Sequence, residues 1–284
     1  MIRGLRIQVV VEDAAPRRDP RLLAQHGLCL LLDADLGQER MRVLMDAGAS
    51  AEVTLQNMDL LGIDPESIDL ILLSHGHYDH TGGLLGVLGR LKRRMPVLAH
   101  PGIFEPKLRS QPFLRFIGPP FSLCQAESAG AVMLLSRGPT ALAPGLTATG
   151  EVERISGFED VKGFWTIRDV CHVQDCIPDD QSIIAEIEGR GLAILTGCAH
   201  AGIINIISQA RRMTGSDDVY AVAGGLHLID ASRERIVRTA EELKALCPDI
   251  VLPGHCTGSE AIGLLKDALG ERCRMLFTGD VIEL

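Results

Sequence analysis

The run Ser74-His75-Gly76-His77-Tyr78-Asp79-His80 packs three imidazoles and one carboxylate into residues 75 to 80, directly after the apolar stretch Leu70 to Leu73. Nitrogen and oxygen donors of these types are what zinc, manganese and iron accept. A sharp turn lets His75 and His77 point one way while Asp79 and His80 point another. Gly76 permits the unusual backbone such a turn needs, and Gly82-Gly83 lets a following helix begin close to the donors. A lone histidine here would read as a satisfied core residue; four donors this dense after a buried strand read as a seat for one or two divalent metal ions (Zn, Mn or Fe). Such ions lower the pKa of a shared water from about 15.7 towards 7, or act as Lewis acids on an oxygen-rich anion. Asp79, Tyr78 and His227 are the catalytic candidates: Tyr78 can donate to a bound anion or be a packed ring, and His227 can complete a metal shell or face substrate as a proton donor.

Elements must bring these donors to one edge. Apolar periodicity predicts strands at Leu5 to Val11, Leu28 to Asp33, Arg42 to Met45, Leu70 to Ser74 and Val97 to Ala99, with helices at Ala51 to Leu61 and about Thr81 to Arg93. After a break marked by Gly138, Pro139, Pro144 and Gly145, strands are predicted at Leu146 to Thr149, Ser182 to Glu188, Leu192 to Thr196, Val219 to Ala223 and Ile250 to Leu252, with a helix at Arg233 to Leu246. That order suggests a single α/β domain of two similar halves, about 1–137 and 146–284, with sheets inside and helices outside: an αββα sandwich. The stretch 101–122 lacks clean periodicity and reads as an irregular insertion or lid. Its Phe104, Phe113, Phe116 and Phe121 can stack a heteroaromatic ring, although a small satellite core is the plainer reading. His100, at a strand end before this insertion, is a candidate for substrate phosphate, with Lys107, Arg109 and Arg115 near it in sequence.

Composition narrows the partners. A net charge of −9 repels a phosphate backbone, which disfavours nucleic acid and leaves a small molecule. No apolar run approaches the roughly 20 residues that span a bilayer, and the start of the chain lacks a secretory pattern, so a cytoplasmic protein without membrane contact is expected. The eight cysteines show no paired Cys-x-x-Cys spacing and read as reduced thiols. Oligomeric state is not legible.

His-x-His-x-Asp-His at 75–80 is similar to the signature of the metallo-β-lactamase superfamily. The resemblance implies the four-layer αββα sandwich, one metal held by His75 and His77, and a second by Asp79 and His80. Asp46, in Val43-Leu44-Met45-Asp46-Ala47-Gly48, matches an early Asp that orients the ligand loop instead of binding metal. Thr196-Gly197-Cys198-Ala199-His200 puts Cys198 where a bridging Asp is expected, so either the Cys198 thiolate or the His200 ring would donate there. Pro253-Gly254-His255 matches the last ligand, which assigns His255 to the second metal. The usual histidine between the halves has no clear counterpart, and Asp180 or His200 would take its place. Taken together, Thr196-Gly197-Cys198-x-His200-x-Gly202, Gly224-Gly225-x-His227-Leu228 and Pro253-x-His255-Cys256-Thr257-Gly258 resemble the branch of dihydropterin-ribofuranosylaminobenzene phosphate synthase-like proteins. The likeness runs from Asp46 to Gly258 and takes in Thr149 to Arg154 and Asp179 to Gln181. It implies a transferase or hydrolase acting on a phosphorylated, pterin-like metabolite. A generic metallo-hydrolase of esters or phosphodiesters, or a metal-binding scaffold without turnover, stands as the alternative.

Overall fold

Strand period two decides the layering. A computed structural model describes residues 1–16 and 19–284. In its first strand, β1 (Gly4–Val11), Leu5, Ile7 and Val9 face one core, while Val10 and Val11, past a register shift, face another. Because successive side chains leave a strand on opposite faces, each sheet separates an inner from an outer apolar layer.

The chain continues through β2 (Cys29–Asp35), β3 (Arg40–Met45), α1 (Ala51–Leu61), β4 (Leu70–Leu72), α2 (Tyr78–Thr81), α3 (Leu84–Gly89), β5 (Met95–Ala99), β6 (Leu108–Arg109), β7 (Arg115–Phe116), α4 (Leu123–Ser128) and β8 (Ala131–Leu135). It then adds β9 (Thr140–Ala143), β10 (Leu146–Ala148), β11 (Phe164–Arg168), β12 (Cys171–Gln174), β13 (Ser182–Ile187), β14 (Gly191–Thr196), α5 (Ile203–Thr214), β15 (Val219–Gly225), α6 (Arg233–Leu246), β16 (Ile250–Gly254), α7 (Ser259–Leu269) and β17 (Val281–Glu283). One seven-stranded sheet has the order β17-β1-β2-β3-β4-β5-β8, and a six-stranded sheet the order β16-β15-β14-β13-β10-β9. Between them lies a core to which Leu30, Leu32, Met45, Ile183, Leu195, Ala223 and Leu252 contribute from both sides. Outside the first sheet, Leu31, Leu44 and Ile71 pack with Met58, Leu84 and Ala126 of α1, α3 and α4; outside the second, Ile194 and Val222 pack with Ile206, Leu243 and Leu265 of α5, α6 and α7. The architecture is the αββα sandwich.

Several boundaries differ from the sequence expectation. The helix expected from Thr81 to Arg93 is two short ones, α2 and α3, parted at Gly82-Gly83 and ending at Gly89. The reason is space: a Cβ at Gly82 or Gly83 would fall 2.0 or 2.1 Å from the carbonyl oxygens of Ala49 and Ala47. The insertion at 101–122 is not wholly irregular. Its β6 and β7 join β11 and β12 in a third sheet, ordered β12-β11-β6-β7, that links the two halves over one edge of the sandwich. The second sheet already begins at Thr140, inside the expected break, and β17 returns from the end of the chain to pair with β1 of the first half. Among the described residues, no helix is long and apolar enough to cross a membrane.

Candidate metal centre

Strand ends of both large sheets meet under the third. His75 and His77 follow β4, Asp79 and His80 sit on α2, Cys198 and His200 follow β14, His227 follows β15, and His255 follows β16. Four residues at these turns, Asp46, Ala199, His227 and His255, have left-handed φ values of 62°, 54°, 44° and 49°.

In a first cluster the ligand atoms of His75, His77 and His200 all lie within 4.8 Å of one another. The Ser74 hydroxyl donates to Asp46 Oδ2 at 2.7 Å and can therefore accept from His75 Nδ1, 2.9 Å away. That leaves His75 Nε2 as a lone pair, 2.9 Å from His77 Nδ1. Burial pushes the pKa of all three rings well below the ordinary imidazole range, so they are neutral, the form that ligates metal. His77 Nε2 and both ring nitrogens of His200 are buried without a partner. Unpaired buried polar groups are costly, and three in one place mark a seat for something that accepts lone pairs.

The second cluster is Asp79, His80 and His255. Asp46 Oδ2 lies 2.7 Å from His80 Nδ1, and Asp13 Oδ1 lies 2.7 Å from His255 Nδ1. A carboxylate behind each ring fixes the proton on Nδ1 and aims Nε2 inward. The two Nε2 atoms consequently face each other at 3.2 Å, with Asp79 Oδ2 3.3 Å from that of His255 and 3.8 Å from that of His80. Two rings locked in that tautomer would oppose lone pairs at that distance, which a cation relieves, and in metal-free protein a proton on His255 does so instead: burial opposes that charge, but Cys256, Asp13 and Asp79 hold the His255 pKa well above the usual range. Burial likewise works to raise Asp79, yet His80 and His255 hold it well below. Cys198 joins the clusters: its Sγ is 3.1 Å from His80 Nε2, and it groups with His75 and His80, with His200 and His227, and with His255 and Cys256. The donor set therefore fits divalent metal, with a thiol where an oxygen bridge was expected.

These clusters open into a cavity of about 70 Å³ lined by His26, Tyr78, Arg109, Arg115, Phe164, His227 and Ile229 among others. Of the alternatives for the missing histidine, His200 is brought to His75 and His77, whereas Asp180 stands behind it and accepts from Ala201 N at 2.8 Å. Burial pushes Asp180 up to about 7. His227 lies against His200, ring centres 4.1 Å apart, with Nδ1 unpaired. Tyr78 is partly exposed at the rim.

Other expectations need correction. His100 does not reach the cavity: its Nδ1 accepts from Gly102 N and shapes a turn, and its Nε2 sits 2.8 Å from Glu151 and ties that turn to the segment after β10. Lys107 is buried between Asp175 and Asp179, and Asp179 in turn accepts from Gly76 N at 2.8 Å. Phe104 and Phe121 pack under the outer helices, and Phe113 and Phe116 are exposed on the hairpin. The aromatic ring over the donors is Phe164, stacked on His77 at 5.2 Å with the Arg109 guanidinium 5.3 Å from its centre. Sequence reasoning missed it, along with Asp13 and His26. The His26 ring bonds Asp13 Oδ2 at 2.9 Å, which raises its pKa, and lies 3.4 Å from Asp79.

Comparison with known proteins bears on the family and the fold. Residues 41–255 match the family described as the β-lactamase superfamily domain. The chain is 35% identical, over 99% of its length and 97% of the relative's, to 7,8-dihydropterin-6-methyl-4-(β-D-ribofuranosyl)-aminobenzene-5'-phosphate synthase of Methanocaldococcus jannaschii. An uncharacterised protein of the same organism is 30% identical over 92% of this chain and 93% of its own. Among solved structures, one described as a metal-dependent hydrolase of the β-lactamase superfamily superposes with a TM-score of 0.83 at 26% identity, covering 99% of both chains.

Proposed function

The chain belongs to the metallo-β-lactamase superfamily, and from that premise we propose that it is a two-metal enzyme that displaces diphosphate from a pterin-like metabolite, the likeness to a relative named as a dihydropterin–aminobenzene phosphate synthase supporting the pterin part of that reading. The observation that supports this reading is the convergence of the His80 and His255 Nε2 atoms, 3.2 Å apart, beside Asp79, opening into a cavity that carries two arginines and an aromatic ring.

In this reading His75, His77 and His200 hold one ion and Asp79, His80 and His255 the other, with Cys198 between them. Two such ions, when bound, supply Lewis acidity to a leaving diphosphate and can activate water. Asp46 and Asp13 keep the His80 and His255 rings in the ligating tautomer. Phe164, itself buried, covers His77 and keeps water from that side. Arg109 and Arg115 at the rim attract an anionic substrate. His227, with Nδ1 unpaired beside the cavity, is placed to move a proton to or from the departing or attacking group.

The test is to supply metal-loaded protein with a dihydropterin methyl diphosphate and an aminobenzene ribosyl phosphate, and to follow diphosphate and coupled product separately. Coupled product supports the transferase reading. Diphosphate without coupling, or turnover of a nitrophenyl phosphodiester alone, makes the protein a hydrolase, the reading that the hydrolase neighbour favours. Metal uptake without turnover of any of these would leave a scaffold.

A further inference from the structure

The cavity over the donors, about 70 Å³, is far below the roughly 300 Å³ at which pockets begin to enclose a whole metabolite. A second cavity of about 250 Å³ adjoins it and shares two walls with it, Phe164 and His227. Its remaining lining includes Asp160, Lys162, Asp230, Ser232 and Arg235.

We propose that this annex is a phosphomonoester subsite, which seats the terminal phosphate of a substrate whose reacting end lies at the metals. The inference rests on the reading that the substrate is phosphorylated. Three donors of different kinds converge here. Arg235 is nine-tenths buried, gives one guanidinium nitrogen to the Asp160 carbonyl at 2.6 Å, and leaves its Nε without a partner. Lys162 reaches in from the rim with a largely exposed side chain. The third is the start of α6, a helix of 14 residues, where Ser232 caps Arg235 N and the amides of the first turn have no partner within the helix. A guanidinium fork, an ammonium and a helix start suit a phosphate, whose three terminal oxygens exceed what a carboxylate can offer.

The carboxylates on the walls do not oppose this. Asp230 is paired with Arg109, and Asp160 with Lys162, its other oxygen lying 3.7 Å from Arg235. Within the annex Lys162 and Arg235 face two carboxylates, and Arg109, which lines the neighbouring cavity, neutralises one of these. Glu159, the next acid in sequence, is turned away to accept from Ile204 N and Asn205 N. Burial lowers the pKa of Arg235, with Glu159 and Asp160 only partly offsetting it, and an incoming dianion would restore what the guanidinium lost on leaving water.

Calorimetric titration with ribose 5-phosphate, and with ribose as the uncharged control, tests the proposal on the metal-loaded protein. Ribose 5-phosphate is expected to bind and ribose not to. Lys162→Ala should weaken binding about threefold or more and Arg235→Met about tenfold or more. Asp79→Ala, which disables the metal centre, should leave the affinity unchanged, so the annex is tested even if the metal reading fails. Should Arg235→Met not fold, Lys162→Ala carries the test, because that side chain is largely exposed and its ion pair with Asp160 lies at the surface. Equal affinity in wild type and Lys162→Ala, no binding at millimolar probe, or binding lost in Asp79→Ala and kept in Arg235→Met would each overturn it.

Discussion

The two donor clusters are built from the same side chain but are held differently. Behind His80 and His255 stand carboxylates, Asp46 and Asp13, each 2.7 Å from a ring nitrogen. In the first cluster only His75 has a partner from outside it, the Ser74 hydroxyl; His77 Nδ1 is paired with His75 Nε2, while His77 Nε2 and both nitrogens of His200 have none. A ring locked by a carboxylate is a better base and cannot rotate away; a ring held only by packing can. The second cluster is therefore a pre-formed cation seat, and the first one adjusts to what it holds. A metal should bind the second more tightly and leave it last.

The hardest way to break this contrast is Asp79→Ala. It removes the only carboxylate within the second cluster, and turnover of a nitrophenyl phosphodiester should fall about a thousandfold or more while one metal per chain is lost on elemental analysis. Equal loss of both metals would erase the distinction. Next is Asp46→Asn, expected to cost about 10- to 100-fold in affinity for the tighter metal, against a smaller effect on the weaker one for Ser74→Ala. Competition with a chromogenic chelator reads both; a larger cost for Ser74→Ala would invert the order. Cys198→Asp sharpens the comparison from between the clusters. Replacing a soft thiol by a carboxylate should shift the zinc-to-manganese preference several-fold towards manganese in mixed-metal loading, and an unchanged ratio would place Cys198 outside both shells.

The smallest effect concerns Asp180, which stands behind the loosely held His200. Burial keeps it protonated up to about 7, whereas the unfolded chain releases that proton near 3.8. Between those values the folded state binds more protons, so metal-free protein should lose stability as pH rises and level off above about 7. Asp180→Asn should flatten this dependence by a few degrees in melting temperature between pH 5 and pH 8. Parallel melting curves for the two proteins would show that Asp180 carries no such burden.

Which parts of this were legible follows from what local sequence encodes. His75 to His80 and Asp46 stand out because their spacing is short and a buried strand precedes each. The sandwich was legible for a related reason: strands such as Leu5 to Val11 announce their faces by alternation. Cys198 against His200 was not decidable, since both follow the same strand end and only the three-dimensional turn through Ala199 shows that His200 converges on His75 and His77. Phe164 and the third sheet depend on β6 pairing with β11 across more than 50 residues, a non-local event that no window of sequence contains. Asp13 and His26 lie in a stretch without periodicity, where function has no pattern to lean on. The helix α5 is different. Its Ile203, Ile206, Ile207 and Ala210 carry a plain helical period that lay in view after the glycine turn at Gly202.

The left-handed backbone at Asp46, Ala199, His227 and His255 has a bearing on how the molecule fails. Non-glycine residues in that conformation store on the order of 1 to 3 kcal/mol each when the surroundings enforce it. Four of the eight such residues among those described ring one edge, so strain is concentrated at the centre, which the apolar layers beneath it keep in shape. Damage to those layers, even far away, releases the turns before it melts the sheets. In a destabilised variant the donors would drift apart first, and the protein would shed its metals while still folded.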